Sequence, residues 1–241
     1  MLNKDRFLRE HRFMDNRKRR MLFGSLLLVV LAYFSWLMLR ITLSYLPIRD
    51  DAAFLMIKPD YIHITHWKIA FFIHVFTSMF ALGAGFLQFS RAIMQKWKPL
   101  HRWVGRIYVW NILFVTGPAS LIMAFYANGG WTSRLAFIML AVLWLFTTAR
   151  AWRSARNGAF KAHQNWMYRS YALTLSALTL RIWKWLIVAL FAPPPMDIYR
   201  IVAWLGFIPN LILAEWLIRK NPIGRVKKNI KSPSKNITNI E

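Results

Sequence analysis

The residues best suited to chemistry lie in two short strings that repeat one another, Leu100–Tyr108 and Ala162–Tyr171. Each string carries a His, a Trp, an Arg and a Tyr in that order, and each precedes a long apolar run. Imidazoles from two facing helices are common axial ligands of a haem iron, and guanidinium groups pair well with carboxylates. The pattern predicts a site for one b-type haem with the following contacts: His101 and His163 as ligands, and Arg102, Arg106 and Arg169 beside the propionates.

Two other interpretations of these strings stay open. Side chains on a helix lean toward its N-terminus, so an imidazole in the first turn would favour the membrane surface over the interior. The His, Trp and Arg residues would then anchor each helix at the level of the lipid head groups. A metal or anion site is the third interpretation of the same residues.

A second group of polar residues falls inside the apolar runs. His74 lies in one run, and Arg181 and Lys184 lie in another. Ser170, Thr174, Ala177, Arg181 and Lys184 are spaced by three or four, so they share one helix face. A charge embedded in a membrane usually faces a partner or a water-filled cavity. These residues predict either an outward-half pocket for an anionic head group, a quinone or a haem propionate, or a hydrogen-bond network that only sets helix register.

The composition places the chain in a membrane. Of its 241 residues, 57% are hydrophobic, and several apolar runs reach the roughly 20 residues that a helix needs to cross a bilayer. There is no Cys, so neither a thiolate metal site nor an iron–sulfur cluster is expected. The net charge is +24, and the Lys and Arg residues that produce it lie between apolar runs and in both tails. This distribution argues against nucleic acid as a partner.

We therefore expect an all-α, polytopic membrane protein with six transmembrane helices. Helices two to five would form a four-helix core from two repeated hairpins, with helices one and six outside it. Pro118 should kink the third helix. The predicted spans are about Met21–Met38, Trp67–Phe89, Trp103–Ala127, Trp131–Ala149, Trp166–Phe191 and Ile198–Ile218.

The distribution of basic residues predicts the orientation. The two tails and two alternate loops hold 25 of the 33 Lys and Arg residues. Basic loops stay in the cytosol, so both termini should be cytosolic in a multi-pass protein of the cell (inner) membrane. We expect a basic N-terminal tail at 1–20, the helical bundle at 21–218 and a basic disordered tail at 219–241. The basic surface would attract anionic lipid head groups.

Three segments resemble a known family. These are Gly85-x-x-Gln88-Phe89, the string from His101 to Tyr108, and the string from His163 to Arg181. Together they resemble the bacterial membrane proteins grouped as domain of unknown function 2306, over about residues 65–190. That resemblance implies an integral membrane protein and no particular reaction. The six-helix plan is also similar to the cytochrome b-561 type, in which paired histidines hold two b haems. Here the fourth helix has no His, so one pair at most is available.

Two functions follow from these observations. One is membrane electron transfer through a haem, with a redox partner or a quinone. The other is a non-enzymatic protein that binds or passes a small lipid-like or anionic molecule through the outward-half pocket. No phosphate-binding loop, nucleophile elbow or zinc-protease motif is present, and no third metal ligand accompanies His63 and His66. Whether the protein is an enzyme stays open.

Overall fold

The computed structural model describes residues 22, 25–26, 29–48 and 53–220. This part of the chain is helical, and it contains five helices that are long and apolar enough to cross a membrane, together with a shorter one. The expectation of an all-α polytopic membrane protein is confirmed. We name the helices α1 Val29–Leu43, α2 Thr65–Gln88, α3 Lys98–Ala124, α4 Gly130–Arg156, α5 Phe160–Phe191 and α6 Pro195–Lys220.

Two helices begin well before the apolar runs that predict them. α3 begins at Lys98 and α5 at Phe160, five or six residues before the expected starts. The extra turns are polar and project from the apolar segment, and Pro99 fits the first turn of α3, where a backbone N–H has no partner. As a result, His101 is the fourth residue of α3, and His163 is the fourth residue of α5. Residues 21, 23–24 and 27–28 of the predicted first span, Met21–Met38, lie outside the described residues, as do the whole N-terminal tail and all of the C-terminal tail after Lys220.

Three long helices are irregular near their middle. In α3 a π-helix spans Asn111–Thr116, directly before Gly117 and Pro118. A proline ring clashes with the carbonyl four residues earlier, and a wider turn relieves that clash. The predicted kink is therefore a widened turn. α5 is interrupted at Leu175 and α6 at Gly206–Phe207.

One amide joins the interruptions of α5 and α6. The Nδ2 group of Asn210 donates to the carbonyl of Ala172 at 3.0 Å and to Oγ1 of Thr179 at 3.0 Å. The Thr179 hydroxyl donates to the carbonyl of Gly206 at 2.6 Å. Backbone groups left open by the breaks thus find partners inside the protein, as a membrane interior requires.

The main core is formed by the five helices α2 to α6. Its buried members include Ala81, Tyr108, Trp144 and Leu173, one from each of α2 to α5. Phe207 of α6 is also buried in this cluster, so α6 joins the four-helix core that the sequence predicts rather than lying wholly outside it. α1 contributes Met38 to a separate, smaller cluster.

The bundle has two ends that differ in composition. One end contains the two basic loops, which are the segment with the short helix Arg91–Lys96 and the α4–α5 turn. We call it the basic end. At the opposite end, which we call the far end, residues 45–66 include a short 3-10 helix at Ala53–Ile57. This segment packs closely on α2 through Tyr45, Leu55, Trp67 and Phe71.

Lys58 links this segment to the α3–α4 turn at the same end of the bundle. Its Nζ donates to the carbonyl of Tyr126, in the α3–α4 turn, and lies 4.5 Å from the ring centroid of Tyr61. The hydroxyl of Tyr126 is in turn 2.7 Å from Nε2 of His66. This segment therefore forms a packed cap on the far end.

Candidate functional site

The two histidines of the repeated strings lie at the basic end. The Nδ1 atom of His163 is 2.9 Å from the carbonyl oxygen of Ala151 in α4. A carbonyl only accepts, so Nδ1 carries a proton, and in the neutral imidazole the lone pair is then on Nε2. A metal-ligating imidazole usually has its other nitrogen bonded in this way, which fixes the ring and raises its basicity.

His101 has the complementary property of an unpaired nitrogen. Its Nδ1 atom is buried and has no hydrogen-bond partner among the described residues. The two strings are joined deeper in the bundle, where the hydroxyl oxygens of Tyr108 and Ser170 are 2.8 Å apart. The backbone of His101 is held in place because Nε2 of Gln88 donates to its carbonyl at 2.9 Å.

The three arginines of the strings have different surroundings. Arg169 makes a two-point ion pair with Glu215 of α6, at 2.5 and 3.0 Å, and its guanidinium lies 4.5 Å from the ring centroid of Trp166. Arg106 is exposed and lies over Trp103. Arg102 is also exposed and directly follows His101 in the chain.

A network of buried hydroxyls lies two turns deeper than the histidines. Tyr108 and Ser170 each follow their histidine by seven residues, and their hydroxyl oxygens are 2.8 Å apart. Thr174 lies 2.9 Å from the Tyr108 hydroxyl, and Thr148 lies 2.7 Å from that of Ser170. The indole of Trp144 donates to Thr174 at 3.0 Å. The network joins α3, α4 and α5.

The sequence predicts part of this network. Ser170 and Thr174 were expected on an inward-facing side of the fifth helix, and both are buried. Tyr108, Thr148 and Trp144 were not expected in it. The signal that could have found Tyr108 is the shared spacing of seven residues, since it places Tyr108 and Ser170 at equivalent positions of the repeat.

The polar residues of the far half bond to different groups. The Nδ1 atom of His74 is 2.7 Å from Oγ of Ser120, which donates to the carbonyl of Thr116 at 2.6 Å. Arg181 donates to the carbonyl of Ala177, in its own helix, at 2.7 Å. The third residue expected here, Lys184, lies one turn closer to the far end. Its Nζ is 5.0 Å from the ring centroid of Tyr199 in α6.

The chain matches the model of a protein family. A family model described as a predicted membrane protein (DUF2306) covers residues 71–218, from the first turns of α2 to the last turn of α6. No curated protein and no solved structure matches the chain. The likeness in plan to cytochrome b-561 is therefore not confirmed.

Proposed function

We propose that this chain, which belongs to the DUF2306 family of predicted membrane proteins, transfers electrons in the cell membrane through a single b-type haem. One observation supports this above the others. His163 presents its Nε2 on a ring fixed by Ala151, and His101, at the equivalent position of the other string, has a buried nitrogen that none of the described residues bonds.

The chemistry of this pair fits a haem better than a bare metal ion. No cluster of three or more His, Asp or Glu side chains that could hold an ion occurs among the residues with described positions. A haem iron takes four ligands from the porphyrin and needs only two from the protein, so two histidines from different helices suffice. A buried nitrogen without a partner is costly, and ligation would remove that cost.

The surrounding residues would fix the two ligands before a haem arrives. The Tyr108–Ser170 hydrogen bond holds α3 and α5 together two turns below the histidines. Gln88 holds the backbone at His101, and Ala151 orients the ring of His163. Ligands on helices that are locked by packing and hydrogen bonds hold their geometry well.

The arginines would take two roles. Arg102 lies near His101 and is free to pair with a propionate. Arg169 is bonded to Glu215, so it would contribute mainly by fixing α6 against α5. The bound haem would supply one-electron oxidation and reduction. We place the basic end in the cytosol, where basic loops concentrate, with a soluble redox partner or a membrane quinone as the electron partner.

The test is an absorption spectrum. The full chain, produced with haem supplementation and purified in detergent, should show a reduced-minus-oxidised b-type spectrum with one haem per chain. His101→Ala and His163→Ala should each remove it. His63→Ala, a substitution in the far-end cap, is the matched control and should retain the spectrum.

Two results would overturn the proposal. One is a colourless protein that also fails to bind added haemin. The other is a spectrum that survives both His101→Ala and His163→Ala, because the haem would then lie elsewhere. Circular dichroism of each variant establishes that the loss of colour is not a loss of helix.

A further inference from the structure

We propose that the surface where α4 and α5 meet, at the basic end of the bundle, binds one anionic phospholipid. Arg150 and Trp166, which contact one another, form the head-group part of this site, and an apolar stripe on α4 receives an acyl chain. We call it the lipid site. It includes neither His101 nor His163, so it does not depend on a haem.

The ring of Trp166 contacts side chains of both helices. Its centroid lies 5.3 Å from the guanidinium carbon of Arg150 in α4, and 4.5 Å from that of Arg169 in its own helix. The ring of Phe146, one turn deeper than Arg150 on α4, meets the indole edge-on at a centroid distance of 5.7 Å. Two cationic groups thus lie at one aromatic ring, each attracted by its π-electrons.

The two guanidinium groups at Trp166 differ in whether their charge is balanced. Glu215 bonds Arg169 through both of its carboxylate oxygens, at 2.5 and 3.0 Å. Among the residues that the structure describes at the basic end, Glu215 is the only one with a carboxylate, so Arg150 has no described acidic partner. Because the pair of Arg169 and Glu215 is neutral, the charge that remains for an anion at this ring is that of Arg150.

The side chain of Arg150 suits a phosphate. It is exposed, and a guanidinium presents five N–H donors in a planar fork that matches two phosphate oxygens. The phosphate of a phosphatidylcholine is balanced by the choline cation of the same molecule, whereas a phosphatidylglycerol keeps a net negative charge. An arginine at the membrane surface attracts an anionic lipid by about 1 kcal/mol, so Arg150 favours the second kind.

The depth of Arg150 matches that of a lipid phosphate. It lies six residues before Arg156, the last residue of α4, which corresponds to about 9 Å along the helix axis. Arg150 directly follows the apolar segment that ends at Ala149, and Trp166 begins the apolar segment of α5. The lipid site therefore lies where the apolar part of the bundle meets the head groups, the level at which Trp side chains concentrate.

An exposed apolar stripe continues from Arg150 toward the middle of the bilayer. Phe146, Val142 and Met139 follow it along α4 at intervals of four, four and three residues, and all three are exposed. Side chains at these intervals share one helix face, so the stripe lies on the same side of α4 as Arg150. A phospholipid with its phosphate at Arg150 therefore lays an acyl chain on this stripe, a contact that a free phosphate cannot make.

The experiment measures the unfolding temperature of the full chain in detergent with three probes. Dihexanoyl phosphatidylglycerol has chains and a net charge, dihexanoyl phosphatidylcholine has the same chains without net charge, and glycerol phosphate has a charge without chains. We expect the phosphatidylglycerol to raise the unfolding temperature saturably. The phosphatidylcholine should need at least a fivefold higher concentration, and glycerol phosphate at least a tenfold higher one.

Substitutions locate the site. Arg150→Gln should raise the half-saturating concentration of the phosphatidylglycerol at least fivefold. Arg153→Gln is the matched control, because it removes an exposed arginine of the same helix that has no described aromatic contact, and it should change that concentration less than twofold. Glu215→Gln leaves Arg169 without its carboxylate and should lower the concentration about threefold. A damaged fold would not produce this opposite change.

Four outcomes would overturn the proposal. If Arg150→Gln binds the phosphatidylglycerol like the original chain, or if Glu215→Gln does not strengthen binding, the lipid does not lie at Trp166. If both phospholipids saturate at the same concentration, the site does not select an anionic lipid. If glycerol phosphate saturates with the phosphatidylglycerol, the ligand is a free anion. If no probe gives a saturable increase, there is no site. The haem spectrum enters none of these measurements, so failure of one proposal leaves the other intact.

Discussion

Gly85 of α2 lies directly against the ring of Tyr171 of α5, so close that a β-carbon on Gly85 would be 1.7 Å from Cε2 of the tyrosine. The same ring packs on Phe89 at a centroid distance of 5.1 Å, and its hydroxyl donates to the carbonyl of Leu82 at 3.3 Å. A glycine at this position is what lets the tyrosine side chain reach the backbone of α2.

Gly85→Ala should therefore destabilise the bundle, by about 1–3 kcal/mol, because the tyrosine ring has to move. Gly83, two residues earlier in the same helix, provides a matched control, since a β-carbon there would meet nothing within 4 Å. Gly83→Ala should be neutral or slightly stabilising, by up to about 1 kcal/mol, through helix propensity. The measurement is unfolding in mixed micelles with increasing SDS. Equal effects of the two substitutions would contradict the close contact.

Tyr108→Phe should cost about 1–2 kcal/mol, because it removes a fully buried hydroxyl that bonds to Ser170 and Thr174. Tyr168→Phe is the control, since that ring stacks on Phe89 and its hydroxyl has no described partner. It should change the free energy of unfolding by less than about 0.5 kcal/mol. A network that tolerates Tyr108→Phe as well as Tyr168→Phe would not be holding α3 and α5 together.

The ion pair between Arg169 and Glu215 should be measurable by a double-mutant cycle with Arg169→Met and Glu215→Gln. We expect a coupling of about 1 kcal/mol, because the pair has two contacts and its side chains are 22% and 39% exposed.

The exposed pair of Arg200 and Asp197 is the comparison for that cycle. Its side chains are 56% and 52% exposed, and the two residues lie one turn apart on α6. Water screens such a pair, so its coupling should stay at or below about 0.5 kcal/mol. A coupling for Arg169 and Glu215 no larger than this would mean that the pair does little to fix α6.

Stability should depend on pH through Lys58 of the far-end cap. Burial, together with the nearby charge of Arg134, lowers the pKa of Lys58 from 10.5 to about 8, and Asp60 offsets part of this effect. Between those values the unfolded chain binds more protons than the folded one, so stability rises as the pH increases from about 8 to 10.5.

Unfolding temperatures across that pH range provide the check. Relative to the original chain, Lys58→Met should lose this part of the increase, because it has no proton to release. Lys161→Met is the control, at an exposed position on α5 near the basic end, and should follow the original chain. Parallel pH profiles for all three proteins would show that Lys58 keeps an ordinary pKa.

The sequence predicted the architecture because membrane spans depend on local composition. The apolar runs located α2 to α6 to within a few residues at the far end, where they stop at turns such as Asn128–Gly129. The starts of α3 and α5 were predicted too late in the chain. Their first turns are polar, and the hydropathy pattern marks only apolar segments. The break at Leu175 was missed for a related reason: it depends on Asn210 of another helix, and no local pattern marks it.

The candidate site was predicted in outline only. The repeat of the two strings indicated that His101 and His163 belong together, and spacing placed Ser170 and Thr174 on one buried face. The pairing of His163 with Ala151 could not be predicted, nor could the buried nitrogen of His101 that no described residue bonds. Both depend on how neighbouring helices approach one another, which spacing along a single helix does not specify.

The π-helix of α3 has a consequence for how its two halves are aligned. A wide turn fits one more residue than an α-helix of the same height, and each residue of an α-helix turns the chain by about 100°. Ser120 therefore faces His74 because the wide turn at Asn111–Thr116 rotates the residues that follow it about the helix axis. Deleting one residue from this segment would restore a regular α-helix and rotate Ser120 about the helix axis, away from His74. The length of the segment therefore determines which helix the far half of α3 contacts.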